Sequence, residues 1–256
     1  MALMTLFHQQ MINNQLLFYT KNDIPFEEAH LVIHTPTINE LGLISEESYR
    51  IATQIISEAG KILRSQDNSD LIDKDDFDIF IAIMNNKEED NEVPTREHIL
   101  KFFSILFPGY KIRVREIDIQ LMESKENGLS GFIDKTNFSS FQEIIKQMFL
   151  LGQGSGKEYN PADGMADKIA KKLQKARQKK AAQGDQKKSI SVYKRYASIL
   201  SIGLQMDVNI LLNYSVPQLE EAFQRFILLT KWDINLKARL AGATDLEEAE
   251  DWMKEI

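Results

Sequence analysis

The chain has no cysteine and no long apolar run among its 256 residues. Disulfide bonds, thiolate metal sites and a cysteine nucleophile are therefore excluded. No stretch approaches 18 consecutive apolar residues, so we expect no membrane-spanning helix. Residues 1–18 lack a basic start and carry Gln and Asn near their middle, which does not match a secretion signal. We accordingly expect the protein to act inside a cell or within an assembly that is built there.

The patterns of common catalytic and nucleotide-binding sites are also missing. The Gly-rich stretch 152–158 has Leu151 where a phosphate-binding loop needs its first glycine, and Glu158 where that loop needs a hydroxyl. The Asp-rich stretch 67–78 lacks the glycine and glutamate of a calcium loop. The four histidines are not spaced as a ligand set. We therefore expect no catalytic residue, no metal site and no cofactor, and no enzymatic activity.

Positive charge is concentrated in one part of an acidic chain. The formal net charge is −7, yet residues 157–195 carry twelve Lys and Arg against four Asp and Glu. Within this part, a helical spacing places four lysines on one face: Lys168, Lys172, Lys175 and Lys179. Such a helix could be solvated, dock on acidic protein, or contact nucleic acid or lipid. The absence of aromatic residues and the single arginine between Lys168 and Lys188 disfavour base recognition.

Hydrophobic periodicity predicts a mainly helical α+β protein. Strand composition at 16–20 and 30–34 and along 111–123 predicts a small antiparallel β component in the N-terminal half. Asn127-Gly128 predicts a hairpin after the last of these strands. Residues 140–152 predict an amphipathic helix that ends at Gly152.

Two segments carry the signature of a capped helix start. Thr37 is followed three residues later by Glu40, as in a capping box. Ser215 is followed in the same way by Gln218, with Pro217 in the first turn. We expect a helix to begin directly after each cap.

The composition divides the chain into three parts. Residues 1–151 form a mixed α+β body, and residues 152–188 a Gly-rich linker followed by the basic helix. Residues 189–256 form an all-helical C-terminal unit, because the apolar period there is helical throughout.

Parts of the sequence resemble a family encoded in the tail modules of contractile-tailed phages of Gram-positive bacteria. In the C-terminal unit the resemblance is carried by Asn213, Tyr214, Gln218, Leu219, Phe223, Arg225, Leu240, Ala241, Gly242, Asp251, Trp252, Met253 and Ile256. In the segment 34–49 it is carried by Pro36, Thr37, Ile38, Glu40 and Tyr49. The family comprises tail assembly chaperones and baseplate hub assembly proteins.

This resemblance implies a non-enzymatic assembly role. The implied partners are the tape-measure and baseplate hub proteins, with self-association as a further possibility, and the implied location is the host cytoplasm or the virion tail. Helix-in-groove contact is the expected binding mode. Aromatic and Met side chains dominate interface energetics, so the candidate anchors are Phe223, Phe226, Trp232, Trp252 and Met253. An apolar stripe of this kind more often belongs to the core of its own domain.

Two alternatives to the chaperone role remain open. The first is a permanent structural subunit of the tail or baseplate. The second, which the residues favour less, is a nucleic-acid-binding accessory protein that uses the basic helix around Lys168–Lys188.

Overall fold

The computed structural model describes residues 23–64, 75–85, 94–123, 128–151 and 190–244, together with Met253. Among these residues, no helix is long and apolar enough to cross a membrane. The described elements are, in chain order, β1 (Ile24–Phe26), β2 (Leu31–Ile33), α1 (Ile38–Leu41), α2 (Glu46–Arg64), α3 (Asp76–Asn85), α4 (Thr95–Leu106), β3 (Tyr110–Val114), β4 (Asp118–Glu123), β5 (Leu129–Asp134), α5 (Phe138–Met148), α6 (Ile190–Leu204), α7 (Val208–Leu212) and α8 (Val216–Leu240).

The predicted fold class is confirmed. Helices predominate, and the β structure consists of two small antiparallel sheets, β1-β2 and β3-β4-β5. Both sheets lie before residue 135, and every described element from Ile190 onward is a helix. The strand predicted at 16–20 lies outside the described residues, whereas the strand predicted at 30–34 is β2.

The β1-β2 hairpin follows from strict alternation of side chains. Ile24 and Phe26 pair with Ile33 and Leu31, and all four are buried, while Pro25 is exposed on the edge. A single 3-10 turn joins the strands. The hairpin thus presents one apolar face to the helices.

The three-stranded sheet differs in one respect from the sequence prediction. Residues 111–123 were expected to form one strand, but they form β3 and β4 with a tight turn at 115–117. The two-pronged contact of Arg115 with Asp118, in which Arg115 Nε donates to Oδ1 at 2.6 Å, closes this turn. The consecutive polar residues Arg115 and Glu116 interrupt the period-2 alternation, which shifts the apolar positions from Ile112 and Val114 to Ile117 and Ile119. The predicted return strand after Asn127-Gly128 is β5, paired antiparallel with β4.

A cluster of phenylalanine rings forms the core between the helices and the sheets. Phe141 of α5 lies at its centre and contacts Phe26, Phe103 and Phe107, with ring centroids 5.7–6.3 Å apart. Edge-to-face and offset geometries such as these are the favoured ones for aromatic pairs. The rings come from β1, from α4 and from the residue after it, and from α5, so they hold distant parts of the chain together.

Several polar side chains of α2, α4 and α5 form hydrogen bonds where these helices meet. Ser48 Oγ lies 2.8 Å from His98 Nδ1 of α4, and Ser45 Oγ lies 2.8 Å from Ser48 Oγ. Gln142 of α5 donates to the carbonyl of Ile56 at 2.8 Å. Buried polar groups without partners are costly, so these bonds fix the register of α2 against α4 and α5.

The end of α5 is another difference from the prediction. The helix ends at Met148 rather than running to Gly152, which lies outside the described residues. Leu150 adopts the left-handed conformation, with φ of 52°, and Leu151 N–H donates to the carbonyl of Lys146 at 2.7 Å. Glycine usually occupies this position; here Leu150 packs against the core, which offsets the backbone cost.

The first helix of the C-terminal unit packs into the same core. Ile190, Tyr193, Ala197 and Leu200 share one face of α6 and are buried in one cluster with side chains of α2 and α4. Burial raises the pKa of the Tyr193 phenol well above its ordinary value. The predicted boundaries at 152 and 188 stay a prediction, but the described residues on the two sides share one core.

We expect Gly131→Ala to destabilise the fold by about 1–3 kcal/mol because β5 passes directly over β2 and the preceding turn. A Cβ atom at this position would lie 2.2 Å from the Ala29 carbonyl oxygen and 2.6 Å from the Leu31 side chain. Gly128→Ala is the matched control, since a Cβ atom there meets nothing within 4 Å. Urea denaturation compares the two variants; equal stabilities would contradict this close approach.

Candidate functional site

The longest described helix, α8, begins as its sequence predicts. The Ser215 hydroxyl accepts a hydrogen bond from Gln218 N–H, and the Gln218 side chain accepts one from Ser215 N–H at 2.9 Å. Pro217 occupies the first turn, where its missing N–H has no helical partner to lose. Both predicted capping boxes are thus confirmed, because Thr37 and Glu40 form the equivalent pair at α1.

The two capped helix starts meet. Thr37 and Ser215 form an isolated antiparallel bridge, and Ile38 N–H donates to the Tyr214 carbonyl at 3.0 Å. We call these four residues the α1–α8 junction. The segment 34–49 and the start of the segment 213–225 are therefore in direct contact. The junction fixes where α8 begins and in which direction it leaves the body.

Charged side chains support the α1 side of this junction. Glu40 accepts hydrogen bonds from the Thr37 N–H and hydroxyl, at 2.7 and 2.8 Å. His34 places Nδ1 2.7 Å from Asp23 and Nε2 3.3 Å from Glu40. Partial burial alone would raise the pKa of the Glu40 carboxyl, but the bonds from Thr37 and the nearby His34 together hold that pKa below its ordinary value.

The first part of α8 packs on α6. The rings of Phe223 and Tyr196 stack with centroids 3.8 Å apart and planes 10° apart. Gly203 of α6 lies against Phe226, so close that a Cβ atom there would be 2.3 Å from the ring. Both phenylalanines are half-buried against the protein's own core. Their predicted role in partner binding stays a prediction, and their packing favours an internal role.

Beyond Phe226, α8 extends past the end of α6. Gly203 is the penultimate residue of α6, whereas α8 continues for 14 residues to Leu240, a distance of about 21 Å. Leu228 is buried, but four other large apolar side chains stay exposed on one face: Leu229 (38%), Trp232 (39%), Leu236 (39%) and Leu240 (79%). We call these four residues the distal stripe.

The distal stripe points away from α6. Each residue of an α-helix is rotated by 100° from the one before it, so the four stripe positions lie within about a quarter of a turn of one another. The apolar residues of the first part of α8 point in another direction, about a third of a turn away: Val216, Leu219, Phe223 and Phe226. The stripe is therefore not a continuation of the face that packs on α6. Polar pairs such as Asp233–Lys237, at 2.6 Å, occupy the positions beside it.

Sequence reasoning found only one member of the stripe. Trp232 was among the candidate anchors, whereas Leu229, Leu236 and Leu240 were missed. The spacing i, i+3, i+7, i+11 of the stripe residues was the available signal. In the sequence, however, this spacing is hard to separate from that of the apolar residues that face α6.

Of the remaining candidate anchors, Met253 is exposed, at 67%. Trp252 and the basic-helix lysines Lys168, Lys172, Lys175 and Lys179 lie outside the described residues.

The comparisons with known proteins found no relatives. No protein-family model, no curated protein and no solved structure matches the chain. Within the described ranges, no three His, Asp or Glu side chains lie close enough together to hold a metal ion. The distal stripe and the α1–α8 junction are thus the features of the described residues from which a function can be argued.

We expect the effect of Gly203→Ala to change sign when the Phe226 ring is removed. In the wild-type background, the new methyl group meets the ring and lowers stability, because the ring must move away from α6. In a Phe226→Ala background, the same change raises stability by up to about 1 kcal/mol, since alanine favours helix over glycine. A thermal-unfolding double-mutant cycle measures this coupling, and additive effects would exclude the contact.

We expect Glu40→Gln to lower stability at neutral pH but not in acid. The lowered pKa of Glu40 means that its contribution is complete above the ordinary value of about 4.3 and is lost as the pH falls through the folded-state value. Glutamine keeps the capping geometry and removes only the charge. The expected difference is under about 1 kcal/mol, because the side chain is partly solvated.

Urea denaturation at a series of pH values measures this difference, with the exposed Glu47→Gln of α2 as control. A difference between wild type and Glu40→Gln that grows towards acid would contradict the assignment.

Proposed function

We propose that this protein is a non-enzymatic assembly factor of a contractile phage tail, a chaperone that engages the tape-measure or baseplate hub protein. The observation that carries the proposal is the distal stripe on a helix that extends past the body. The stripe would pack against an amphipathic helix of the partner, as in helix-in-groove recognition.

The chemistry of the stripe suits such contact. Three leucines around one tryptophan offer a large apolar area, and tryptophan is the residue type most enriched among interface anchors. Exposed side chains at helical spacing present this area in a row along about three turns. Contiguous exposed apolar surface of this kind marks interaction sites on many proteins.

The resemblance and the stripe are connected through the α1–α8 junction. Thr37, Ile38 and Tyr214, three of the residues that carry the resemblance, lie at the point where α8 is attached. The capped start of α8 is attached to α1, so the direction of the distal half follows from this attachment. The segments that resemble the phage family thereby support the surface that would bind the partner.

A permanent structural subunit of the tail would use the same surface in the same way. Mass spectrometry of purified virions separates the two roles, because a chaperone is absent from the finished particle and a subunit is present in fixed copy number. The nucleic-acid alternative depends on Lys168, Lys172, Lys175 and Lys179, and it requires binding that weakens steeply with salt.

Co-expression with the tape-measure and hub proteins of the same phage tests the proposal. We expect a complex that survives size-exclusion chromatography with one of them. Leu236→Glu should weaken this complex by about tenfold or more, because burying a leucine is worth roughly 1.5–3 kcal/mol.

The matched control is Ile117→Glu, which introduces the same charge at an apolar position, 69% exposed, on the turn between β3 and β4. Loss of the complex in both variants would assign the effect to solubility rather than to the stripe. Failure of the wild type to bind either protein would overturn the proposal.

A further inference from the structure

The chain changes direction where α8 ends. Gly242 adopts the left-handed conformation, with φ of 94°, and its N–H donates to the Arg239 carbonyl at 3.0 Å. Ala243 N–H donates to the Ala238 carbonyl at 3.0 Å, which completes a Schellman motif. A left-handed residue breaks the helical path, so the residues after Gly242 do not prolong α8.

A third capping box follows directly in the sequence. Thr244 precedes Glu247 by three residues, which is the spacing that begins both α1 and α8. The sequence therefore predicts a further helix after Thr244, in residues that lie outside the described ones. Only residues 241–244 separate this predicted helix from α8, and loops of about two to five residues join the antiparallel helices of an αα-hairpin.

We propose that residues 245–256 fold back antiparallel along α8 and pack on the distal stripe of the same chain. Their apolar side chains recur at a helical spacing, as those of the stripe do. In an antiparallel pair, residues at about equal distances from the turn lie side by side. The residues brought together in this way are Leu246 with Leu240, Ala249 with Leu236, and Trp252 with Trp232.

Charge complementarity favours the same occupant. Residues 245–256 carry six Asp and Glu against one Lys, whereas residues 231–240 carry three Lys and Arg against one Asp. The antiparallel register brings Glu250 within one turn of Lys237 on one flank of the stripe. It brings Glu248 within one turn of Arg239 on the other flank, so opposite charges meet on both sides of the apolar row.

Two described side chains agree with a contact inside one chain. Leu228 lies on the side of α8 away from α6 and is only 9% exposed, so the chain itself already covers part of this side. Met253 is 67% exposed, which leaves its neighbour Trp252 as the side chain that faces α8. The apolar spacing in the sequence allowed either residue at this position.

The contact stands on the turn, the spacing and the charges, and it does not require the phage assignment. If the proposed function is also correct, residues 245–256 and the partner helix compete for the distal stripe. The segment would then protect this apolar surface until the partner displaces it.

Disulfide trapping in the full chain tests the contact, because the chain has no cysteine of its own. Leu236→Cys/Ala249→Cys should form an intrachain disulfide under mild oxidation, since facing residues of packed helices come within disulfide reach. The matched control is Ile234→Cys/Ala249→Cys, which should lack the disulfide. Ile234 is also exposed, at 61%, but it lies on nearly the opposite side of α8.

Non-reducing electrophoresis and peptide mass mapping identify the bridge, and circular dichroism of the reduced variants checks their helix content. Equal crosslinking of the two pairs would overturn the contact, as would no intrachain crosslink in either. A crosslinked product of twice the 29.5 kDa chain mass in place of the intrachain one would assign the stripe to a second copy and overturn it as well.

Tryptophan emission supplies a measurement that needs no crosslink. In a Trp252→Phe chain only Trp232 emits, because the sequence contains two tryptophans. Adding Leu246→Glu should shift this emission to the red, since the segment then leaves the ring to water. Lys254→Glu, on the polar side of the segment, is the matched control and should leave the emission unchanged. An unshifted emission in the Leu246→Glu variant would contradict the contact.

The same disulfide separates this contact from the proposed function. With the bridge of Leu236→Cys/Ala249→Cys closed, binding to the tape-measure or hub protein should weaken by about tenfold or more, and reduction should restore it. A closed bridge together with a wild type that binds neither protein would overturn the proposed function alone. A wild type that binds one of them while neither pair crosslinks would overturn the contact alone.

Discussion

The α1–α8 junction is the constraint on which the arrangement of the C-terminal helices depends. A single backbone bond, from Ile38 N–H to the Tyr214 carbonyl, joins segments more than 170 residues apart in the chain, next to the Thr37–Ser215 bridge. Each helix satisfies its own first N–H groups with a capping box, so the junction can be buried without unpaired donors. The junction holds the start of α8, and α6 packs on its first part. The far end of α8, beyond Phe226, is held by neither.

The core explains why the junction can be so small. Rings from β1, α4 and α5 already join the N-terminal elements around Phe141, and α6 adds one buried face to this cluster. Ser48 and His98 supply a directional bond inside it. Apolar packing gives most of the stability and tolerates rotation of neighbouring helices, whereas the buried polar bonds select one register. The junction then needs to orient only α8.

Local signals in the sequence predicted what is locally determined. Both capping boxes could be predicted because cap and partner are three residues apart. The turn between β3 and β4 is closed by an equally local contact, Arg115–Asp118, and the interruption of the alternation at Arg115 and Glu116 was a signal that the prediction missed. The end of α5 depends on core packing of Leu150, which the local sequence does not show. The aromatic anchors were chosen by residue type; Phe223 and Phe226 are half-buried against the protein's own core, and their role in partner binding stays a prediction. Which apolar face of α8 is covered depends on where α6 ends, and the sequence of α8 does not contain that information.

The apolar side chains of the two halves of α8 point in different directions, which indicates that the two halves face different surfaces. A helix that only completed its own core would keep one apolar face along its length. In α8 the mean direction of the distal stripe differs by about a third of a turn from that of the residues that pack on α6, while the first face continues with Asp233, Lys237 and the exposed Ile234. Leu229, Trp232 and Leu236 keep about two-fifths of their surface exposed and Leu240 about four-fifths, so folding leaves part of this apolar surface in water. Contact with a second surface, whether of a partner or of another part of the chain, supplies a physical reason for their placement.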